Sequence, residues 1–215
     1  MNIAKNLELL KGNLPERVTL VAVSKTKSNE AILEAYESGH RIFGENKVQE
    51  MIQKYDSLPQ DIEWHMIGHL QRNKVKYMAP FVSLIHGVDT EKLLLEINKQ
   101  AAKHNRIIDC LLQVHIAEET TKFGFSEAEL QAVMSKALEL PNVCIKGLMG
   151  MATFTEDTQQ IEREFKGLNS CFQQNFESQS GAILSMGMSG DYNIAIEMGS
   201  TMIRVGSRIF GSRNQ

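Results

Sequence analysis

The sequence predicts a (β/α)₈ barrel, and two observations lead to this fold class. Short apolar or β-branched runs recur eight times along the chain, and longer amphipathic stretches separate several of them. Alternation of strands and helices implies parallel strands joined by right-handed crossovers. Eight such units in 215 residues favour closure into a barrel, although most barrels of this type are longer, at about 250 residues. A doubly wound open sheet is the alternative fold.

The eight predicted strands are short and rich in Val, Ile, Leu and Met. They span residues 18–24, 41–43, 62–67, 82–86, 107–116, 143–148, 182–186 and 202–205. Predicted helices have apolar residues at helical spacing and span 29–38, 90–104, 126–140 and 157–177. Ser28 starts the first of these helices, and Ser126 with Glu129 forms a capping-box pattern in the third. Because no linker-like composition break interrupts residues 1–215, we expect a single domain.

Composition excludes several classes of protein. A net charge of -3 creates no field that would attract nucleic acid or an anionic membrane. No apolar run approaches the about 20 residues of a membrane-spanning helix, and the first residues lack the apolar core of a secretory signal. Cys110, Cys144 and Cys171 match neither a disulfide framework nor a zinc-binding spacing. We therefore expect a cytoplasmic protein.

Lys25 stands directly after the first predicted strand, in VAVSKTK. It shares one face of that strand with Val21 and Val23, and the active sites of such barrels lie where strands end. Partial desolvation at the barrel mouth would lower the pKa of Lys25 and free its amine to add to a carbonyl. An ordinary surface lysine is the alternative, and this is our interpretation of Lys27.

Two turns of small residues follow the last two strands and form a candidate phosphate site. Ser189 and Gly190 follow strand seven, and Gly206 and Ser207 follow strand eight. Small residues let backbone N–H groups approach an anion, and barrels commonly bind phosphate at these loops. Ordinary βα turns with serine N-caps are the alternative.

Arg204 lies within the apolar run MIRVG of the eighth strand. An unpaired buried charge is costly, so Arg204 must either pair with a carboxylate, with Glu197 as the candidate, or point at a ligand. A reactive lysine, a phosphate cradle and an inward arginine would together suit a phosphorylated aldehyde.

Further polar residues follow strands two, three and five. His65 and His69 are four residues apart, but the predicted strand and the missing third ligand argue against a metal site. We expect Asn46 and His69 to form hydrogen bonds at the barrel mouth, and Lys122 to add a cation to the rim. The sequence contains no GxGxxG, P-loop, HExxH or GxSxG motif.

Seven strings carry a resemblance to a known family: VAVSKTK, FGENKVQE, WHMIGHLQRNK, KFGF, GLMGM, SMGMSGDYNIAIEMGST and IRVGSRIFG. On these strings, over essentially its whole length, the chain resembles the pyridoxal phosphate homeostasis proteins. That small family is related to the barrel domain of bacterial alanine racemase. The resemblance implies pyridoxal 5′-phosphate (PLP) as the cofactor.

The resemblance also implies roles for individual residues. Lys25 matches the lysine that forms a Schiff base with PLP, and Arg204 matches the arginine that faces the pyridine nitrogen. The positions that match phosphate-binding residues or their neighbours are Ser189, Ser200, Thr201, Gly206 and Ser207. Asn46 and His69 match positions lining the cofactor pocket, and Lys122 matches a lysine at its rim.

The resemblance favours a binding protein over an enzyme. An arginine cannot accept a proton, so it keeps the pyridine nitrogen unprotonated and weakens the ring as an electron sink. Alanine racemase resembles this arrangement but adds a second domain that supplies a tyrosine base. We expect this chain to lack that domain, and none of Tyr36, Tyr55, Tyr77 and Tyr192 stands at an obvious strand end.

The expected function is therefore intracellular PLP homeostasis, in which a monomer buffers PLP or delivers it to PLP-dependent apo-enzymes without robust turnover. A weak PLP-dependent amino-acid racemase is the alternative. A phosphosugar-binding barrel without covalent chemistry is a third hypothesis.

Overall fold

The computed structural model describes residues 2–118, 123–176 and 179–211, in which eight parallel strands close into a barrel in sequence order. The strands are β1 Thr19–Val23, β2 Ile42–Glu45, β3 Glu63–Met66, β4 Leu84–Val88, β5 Ile108–Gln113, β6 Val143–Met149, β7 Ile183–Met188 and β8 Met202–Val205. The barrel closes where β8 pairs with β1, with Val21 beside Arg204. This closure confirms the predicted (β/α)₈ fold and excludes the open sheet.

Helices surround the strands. Within the described ranges they are α1 Ile3–Gly12, α2 Asn29–Glu37, α3 Val48–Ser57, α4 Val75–Met78, α5 Glu91–Lys103, α6 Glu127–Ala137, α7 Thr158–Phe176, α8 Tyr192–Glu197 and α9 Ser207–Phe210, and a 3₁₀ turn spans Arg72–Lys74. Both predicted start signals are confirmed. The Ser28 side chain accepts a hydrogen bond from the Ala31 N–H, and Ser126 with Glu129 forms a capping box. Helices α1, α3 and α4 were not predicted.

Alternation along the strands sorts side chains between two cores. Leu20, Ala22 and Ile203 belong to the large core between the strands and the helices. Val21 and Met202 belong to a separate small core with Leu84, Leu111 and Met149. Successive strand residues point to opposite faces, so this second core fills the barrel interior. Arg204, two residues after Met202, shares the inward face.

The end of β7 differs from the prediction and positions the loop that follows it. The strand continues two residues past its predicted end, to Met188. Gly187 has a φ of 97°, and a Cβ there would lie 2.6 Å from the Cβ of Ala195 on α8. Only glycine combines this conformation with the close approach of α8. Packing of α8 against β7 thus fixes the turn that begins at Ser189.

The described residues include no helix with both the length and the apolar character that a membrane crossing requires. Cys110, Cys144 and Cys171 are free thiols. Burial raises the pKa of the Cys110 thiol, so this side chain acts as a small apolar group.

Candidate functional site

A cavity of about 470 Å³ opens at the carboxyl ends of β1, β7 and β8. Side chains from the predicted site meet at this cavity, although they are far apart in the sequence. Its lining includes Lys25, Asn46, Ser189, Gly190, Arg204, Gly206 and Ser207. Residues after β6 also line it, among them Met151, Thr153 and Phe154, and these were not predicted.

Lys25 occupies a tight turn at the end of β1. The N–H of Lys27 donates a hydrogen bond of 3.0 Å to the carbonyl of Ser24, which closes the turn around Lys25 and Thr26. Lys25 is half-buried and lines the cavity beside Val23. Lys27 also reaches the cavity, but its Nζ donates to the carbonyls of Phe210 at 3.1 Å and Gly211 at 3.3 Å. Lys27 therefore holds the end of α9 against the β1 turn.

The turns after β7 and β8 join into one surface of small residues. The N–H of Gly206 donates to the Oγ of Ser189 at 3.3 Å, which links the two turns. Ser207 begins α9, so its N–H has no acceptor within that helix. Beyond Gly190 there is open space, since a Cβ built there would meet no atom within 4 Å. The two turns of the predicted cradle therefore form a continuous surface with open space at Gly190.

Arg204 carries a buried charge against the cavity. Its side chain is buried, since Arg204 is only 4% exposed. The Nη1 donates to the carbonyl of Ser185 at 3.0 Å and to the Ser185 Oγ. The Nη2 donates to the carbonyl of Gly150 at 3.1 Å. All these acceptors are neutral, and burial lowers the pKa of Arg204 to about 10. The alternative, pairing with Glu197, is excluded because Glu197 is exposed at the end of α8 and the acceptors of Arg204 are neutral.

Behind Arg204, a line of hydrogen bonds crosses the barrel interior. A guanidinium only donates, so the Ser185 Oγ accepts from Arg204. The same oxygen lies 3.0 Å from the Nδ1 of His86, and the Nε2 of His86 lies 3.1 Å from the Nδ1 of His65. The line therefore connects Arg204 through Ser185 to two buried histidines.

Both histidines of this line are uncharged at neutral pH. Burial lowers the pKa of His65 to about 3 and holds the pKa of His86 well below its ordinary value. Sequence reasoning missed Ser185 and His86, although a signal was present. Each is a polar residue at an inward position of an otherwise apolar strand segment, in AILSM and LIHGV.

His65 and His69 lie in different surroundings and share no site. The ring of His65 faces His86, whereas the His69 Nδ1 lies 2.9 Å from the Asp89 Oδ2 and its ring stacks on Phe123. The described residues contain no group of three or more His, Cys, Asp and Glu side chains that could hold a metal ion. His69 is on the rim of β3 to β5, outside the cavity that holds Lys25.

Ser200 and Thr201 lie at the opposite end of the barrel from Lys25, immediately before β8. The buried Ser200 Oγ is 2.8 Å from the backbone carbonyl of Met186, to which it can donate a hydrogen bond. The Oγ1 of Thr201 accepts from the N–H of Leu184 at 2.8 Å. Their interpretation as neighbours of the phosphate is wrong, because both hydroxyls bind β7. Lys122 lies outside the described residues.

Tyr192 stands nearer to a strand end than the sequence indicated, because it begins α8 four residues after β7. It is nevertheless buried and lies outside the cavity lining. The guanidinium of Arg208 covers its ring at 5.1 Å from the centroid. The Tyr192 ring is therefore packed under Arg208 and does not enter the cavity.

The fold and the site define a class of protein, the barrels of the alanine racemase N-terminal type. The family model described as "Alanine racemase, N-terminal domain" matches residues 1–214. Within this class, the chain is 41% identical over 197 residues to the pyridoxal phosphate homeostasis protein of Aquifex aeolicus, covering 90% of this chain and 86% of that one. The chain belongs to the pyridoxal phosphate homeostasis protein family.

Solved structures agree with this assignment. PipY of Synechococcus elongatus PCC7942 without PLP superposes with a TM-score of 0.91 at 36% identity, covering 97% of this chain and 100% of PipY. PipY with PLP bound gives a TM-score of 0.87 at 35% identity over the same shares. The alanine racemase of Clostridium difficile gives 0.80 at 13% identity, and this chain covers 57% of it, so this likeness concerns the fold alone.

Proposed function

We propose that the chain binds PLP in the cavity at the ends of β1, β7 and β8, holds it as a Schiff base on Lys25, and thereby buffers or delivers the cofactor. Family membership and the PLP-bound structure of PipY support this function. The single observation that carries it is Arg204, a buried cation whose hydrogen-bond acceptors among the described residues are all neutral and which lines the same cavity as a half-buried lysine.

The residues fit PLP at three points. Arg204 has five N–H donors and no acceptor, so it suits a neutral pyridine nitrogen. The N–H of Ser207 and the open space at Gly190 suit a phosphate group. Lys25 lies at the end of the neighbouring strand, where it would meet an aldehyde. The cationic side chains of Lys25, Lys27 and Arg204 outnumber the one carboxylate of the described lining, that of Asp191.

Bound PLP supplies an aldehyde that condenses with an amine. Lys25 provides this amine, and its Nζ forms a C=N bond as the aldehyde oxygen leaves in one molecule of water. The reaction needs no oxidant or reductant, and hydrolysis reverses it. Lys25 can therefore both capture and release the cofactor.

Arg204 also disfavours catalysis. Even with its pKa lowered to about 10, Arg204 stays charged at neutral pH and offers the pyridine nitrogen only a hydrogen bond. An unprotonated ring is a weak electron sink, and most PLP enzymes depend on a strong one. Ser185 holds Arg204 from behind, because its carbonyl oxygen and its Oγ both accept hydrogen bonds from the Arg204 Nη1. We therefore propose binding without robust turnover.

Mapping the site of attachment tests this function. Purified protein is loaded with PLP, reduced with borohydride and digested, and the adduct is located by mass spectrometry. We expect the adduct on Lys25, its loss in Lys25→Ala, and its retention in Lys76→Ala, which changes an exposed lysine on α4. An adduct on another lysine would refute the assignment. Racemisation of amino acids above about 1 s⁻¹ would instead favour an enzyme.

We further propose that residues 1–215 form one domain, that the chain is a monomer in the cytoplasm, and that PLP-dependent apo-enzymes receive the cofactor. Three free thiols support a reducing compartment. Sedimentation would give the oligomeric state. The rate at which the PLP-loaded chain activates an apo-enzyme can be compared with the rate at which PLP is released from Lys25 into buffer at the same concentration of chain. Activation faster than this release would show direct transfer.

A further inference from the structure

The turn that carries Lys25 holds an unusual backbone conformation. Thr26 has a φ of 63°, in the left-handed region. A turn closed from Lys27 to Ser24 places Thr26 third, where a positive φ is the requirement of a type II turn and glycine or asparagine is usual. A β-branched residue in this region is strained. The surrounding structure must therefore hold Thr26 in place.

Three charged side chains hold this turn from beneath, and we call Glu45, Glu50 and Lys54 the turn clamp. The Oε1 of Glu50 accepts a hydrogen bond from the N–H of Thr26 at 2.5 Å. The Nζ of Lys54 donates to the Glu50 Oε1 at 2.6 Å, to the Glu45 Oε1 at 2.7 Å and to the carbonyl of Ser24 at 2.8 Å. The clamp therefore contacts the residues on both sides of Lys25.

Two of the three side chains of the turn clamp are buried, and the third is half-buried. The side chains of Glu45 and Lys54 are 0% and 6% exposed, and that of Glu50 is 22% exposed. Buried ion pairs are often no more stabilising than apolar residues of the same size, because desolvation offsets their attraction. Stability alone does not explain two buried charges and a half-buried third at this turn. Their contacts with the backbone around Lys25 point to a role at the site.

We propose that Glu50 is a positioning residue for Lys25: by accepting from the N–H of Thr26 it holds the strained turn and so directs the Lys25 amine into the cavity. This inference rests on the proposed attachment of PLP to Lys25. Glu50 touches the turn and not the cradle, so it acts on the bond to Lys25 and not on phosphate binding.

Two ligands separate these effects. PLP reports both phosphate binding and the bond to Lys25. Pyridoxamine 5′-phosphate has an amine in place of the aldehyde, so it reports binding without the covalent bond. Absorbance titration gives the affinity for PLP, and calorimetry gives the affinity for pyridoxamine 5′-phosphate.

Glu50→Ala removes the hydrogen bond to Thr26. We expect PLP affinity to fall at least tenfold, about the effect of losing a hydrogen bond to a charged group, with pyridoxamine phosphate affinity within about twofold of wild type. Asp56→Ala is the matched control, since it removes an exposed carboxylate from the same helix and should change neither affinity. An equal loss for both ligands, or no loss for PLP, would overturn the proposal.

A rescue variant tests the stated cause. Glycine accepts a positive φ without strain, so Thr26→Gly should restore PLP affinity in the Glu50→Ala background to within about threefold of wild type. Failure of this rescue would show that Glu50 does not act through the strained turn.

Glu50→Gln keeps an oxygen acceptor for Thr26 and leaves Lys54 paired with Glu45 alone. We expect this variant to fold and to bind PLP within about threefold of wild type, so it tests the proposal even if Glu50→Ala does not fold. A tenfold loss would contradict it. The proposed function fails separately, and only when the wild-type chain itself forms no adduct at Lys25.

Discussion

Replacing Arg204 by methionine should separate cofactor binding from fold stability. The pKa of Arg204 is lowered to about 10, mainly because burial disfavours the charged guanidinium. The folded pKa is lower than the unfolded one, so at neutral pH the folded chain carries the full cost of the charge. At 1.36 kcal/mol per pKa unit, this cost is about 3 kcal/mol. Methionine has a similar length and no charge.

The hydrogen bonds of Arg204 offset part of this cost. In Arg204→Met, the carbonyl of Ser185 still accepts from the N–H of Gly150 at 3.1 Å, and the Ser185 hydroxyl still has His86. The carbonyl of Gly150 loses its partner, at a cost of about 1–3 kcal/mol. We therefore expect a free energy of unfolding between that of wild type and about 2 kcal/mol above it.

Urea unfolding and PLP titration on the same preparation check this prediction. We expect PLP affinity to fall at least tenfold, since the ring nitrogen loses its donor. Arg72→Met changes an exposed arginine on the rim of β3 to β5. It should change neither the free energy of unfolding nor the PLP affinity. A loss of more than about 2 kcal/mol of stability, or unchanged PLP affinity, would show that Arg204 serves the fold and not the ligand.

Acidification should destabilise the folded chain between about pH 6.5 and pH 4, because burial lowers the pKa of His65 to about 3 and that of His40 to about 4. The unfolded chain then binds protons that the folded chain excludes, and at pH 5 each histidine should cost about 2 kcal/mol relative to pH 7.5 by urea unfolding. A flat profile would contradict this. Gly206→Ala should weaken PLP and pyridoxamine phosphate alike, by about tenfold, because its Cβ would lie 3.0 Å from the carbonyl oxygen of Val23. Selective loss of PLP alone would argue against the cradle. Gly167→Ala, within α7 and with no atom within 4 Å of the new Cβ, should raise stability by about 0.5–1 kcal/mol in the same urea experiment and leave both affinities unchanged. Lower stability would show an unrecognised packing constraint at this position.

Local signals predicted the fold and one side of the site. Strand runs and Gly/Ser turns depend on neighbours in the sequence, so they gave eight strands and the cradle at Ser189 and Ser207. The apolar run MIRVG and the cost of a buried charge predicted an inward Arg204, and in the structure the neighbouring Ile203 and Val205 face the helices. The predicted strand ends were less accurate. The strand β7 continues through Gly187, where α8 packs so closely that a Cβ would meet Ala195.

Long-range contacts could not be predicted in this way. Helix α3 was not predicted, and no local signal indicates that its Glu50 and Lys54 pack beneath the β1 turn. Ser200 stands only four residues before Arg204, but a strand separates the two ends of the barrel. His69 follows β3 as expected, and Asp89 and Phe123 hold it on the rim of β3 to β5, away from Lys25.

Buried charge on two sides of the cavity explains how a small barrel can bind a rigid planar cofactor specifically. Arg204 would fix the ring nitrogen, the turn clamp would fix the amine of Lys25, and the turns of Ser189 and Ser207 would fix the phosphate. Three fixed points determine the position of a planar ligand. Catalysis would further require a group that moves a proton at the ring, whereas Asp191, the carboxylate in the described lining, accepts from the N–H of Met188 through its Oδ1. The same geometry that orients PLP therefore favours holding it over transforming it.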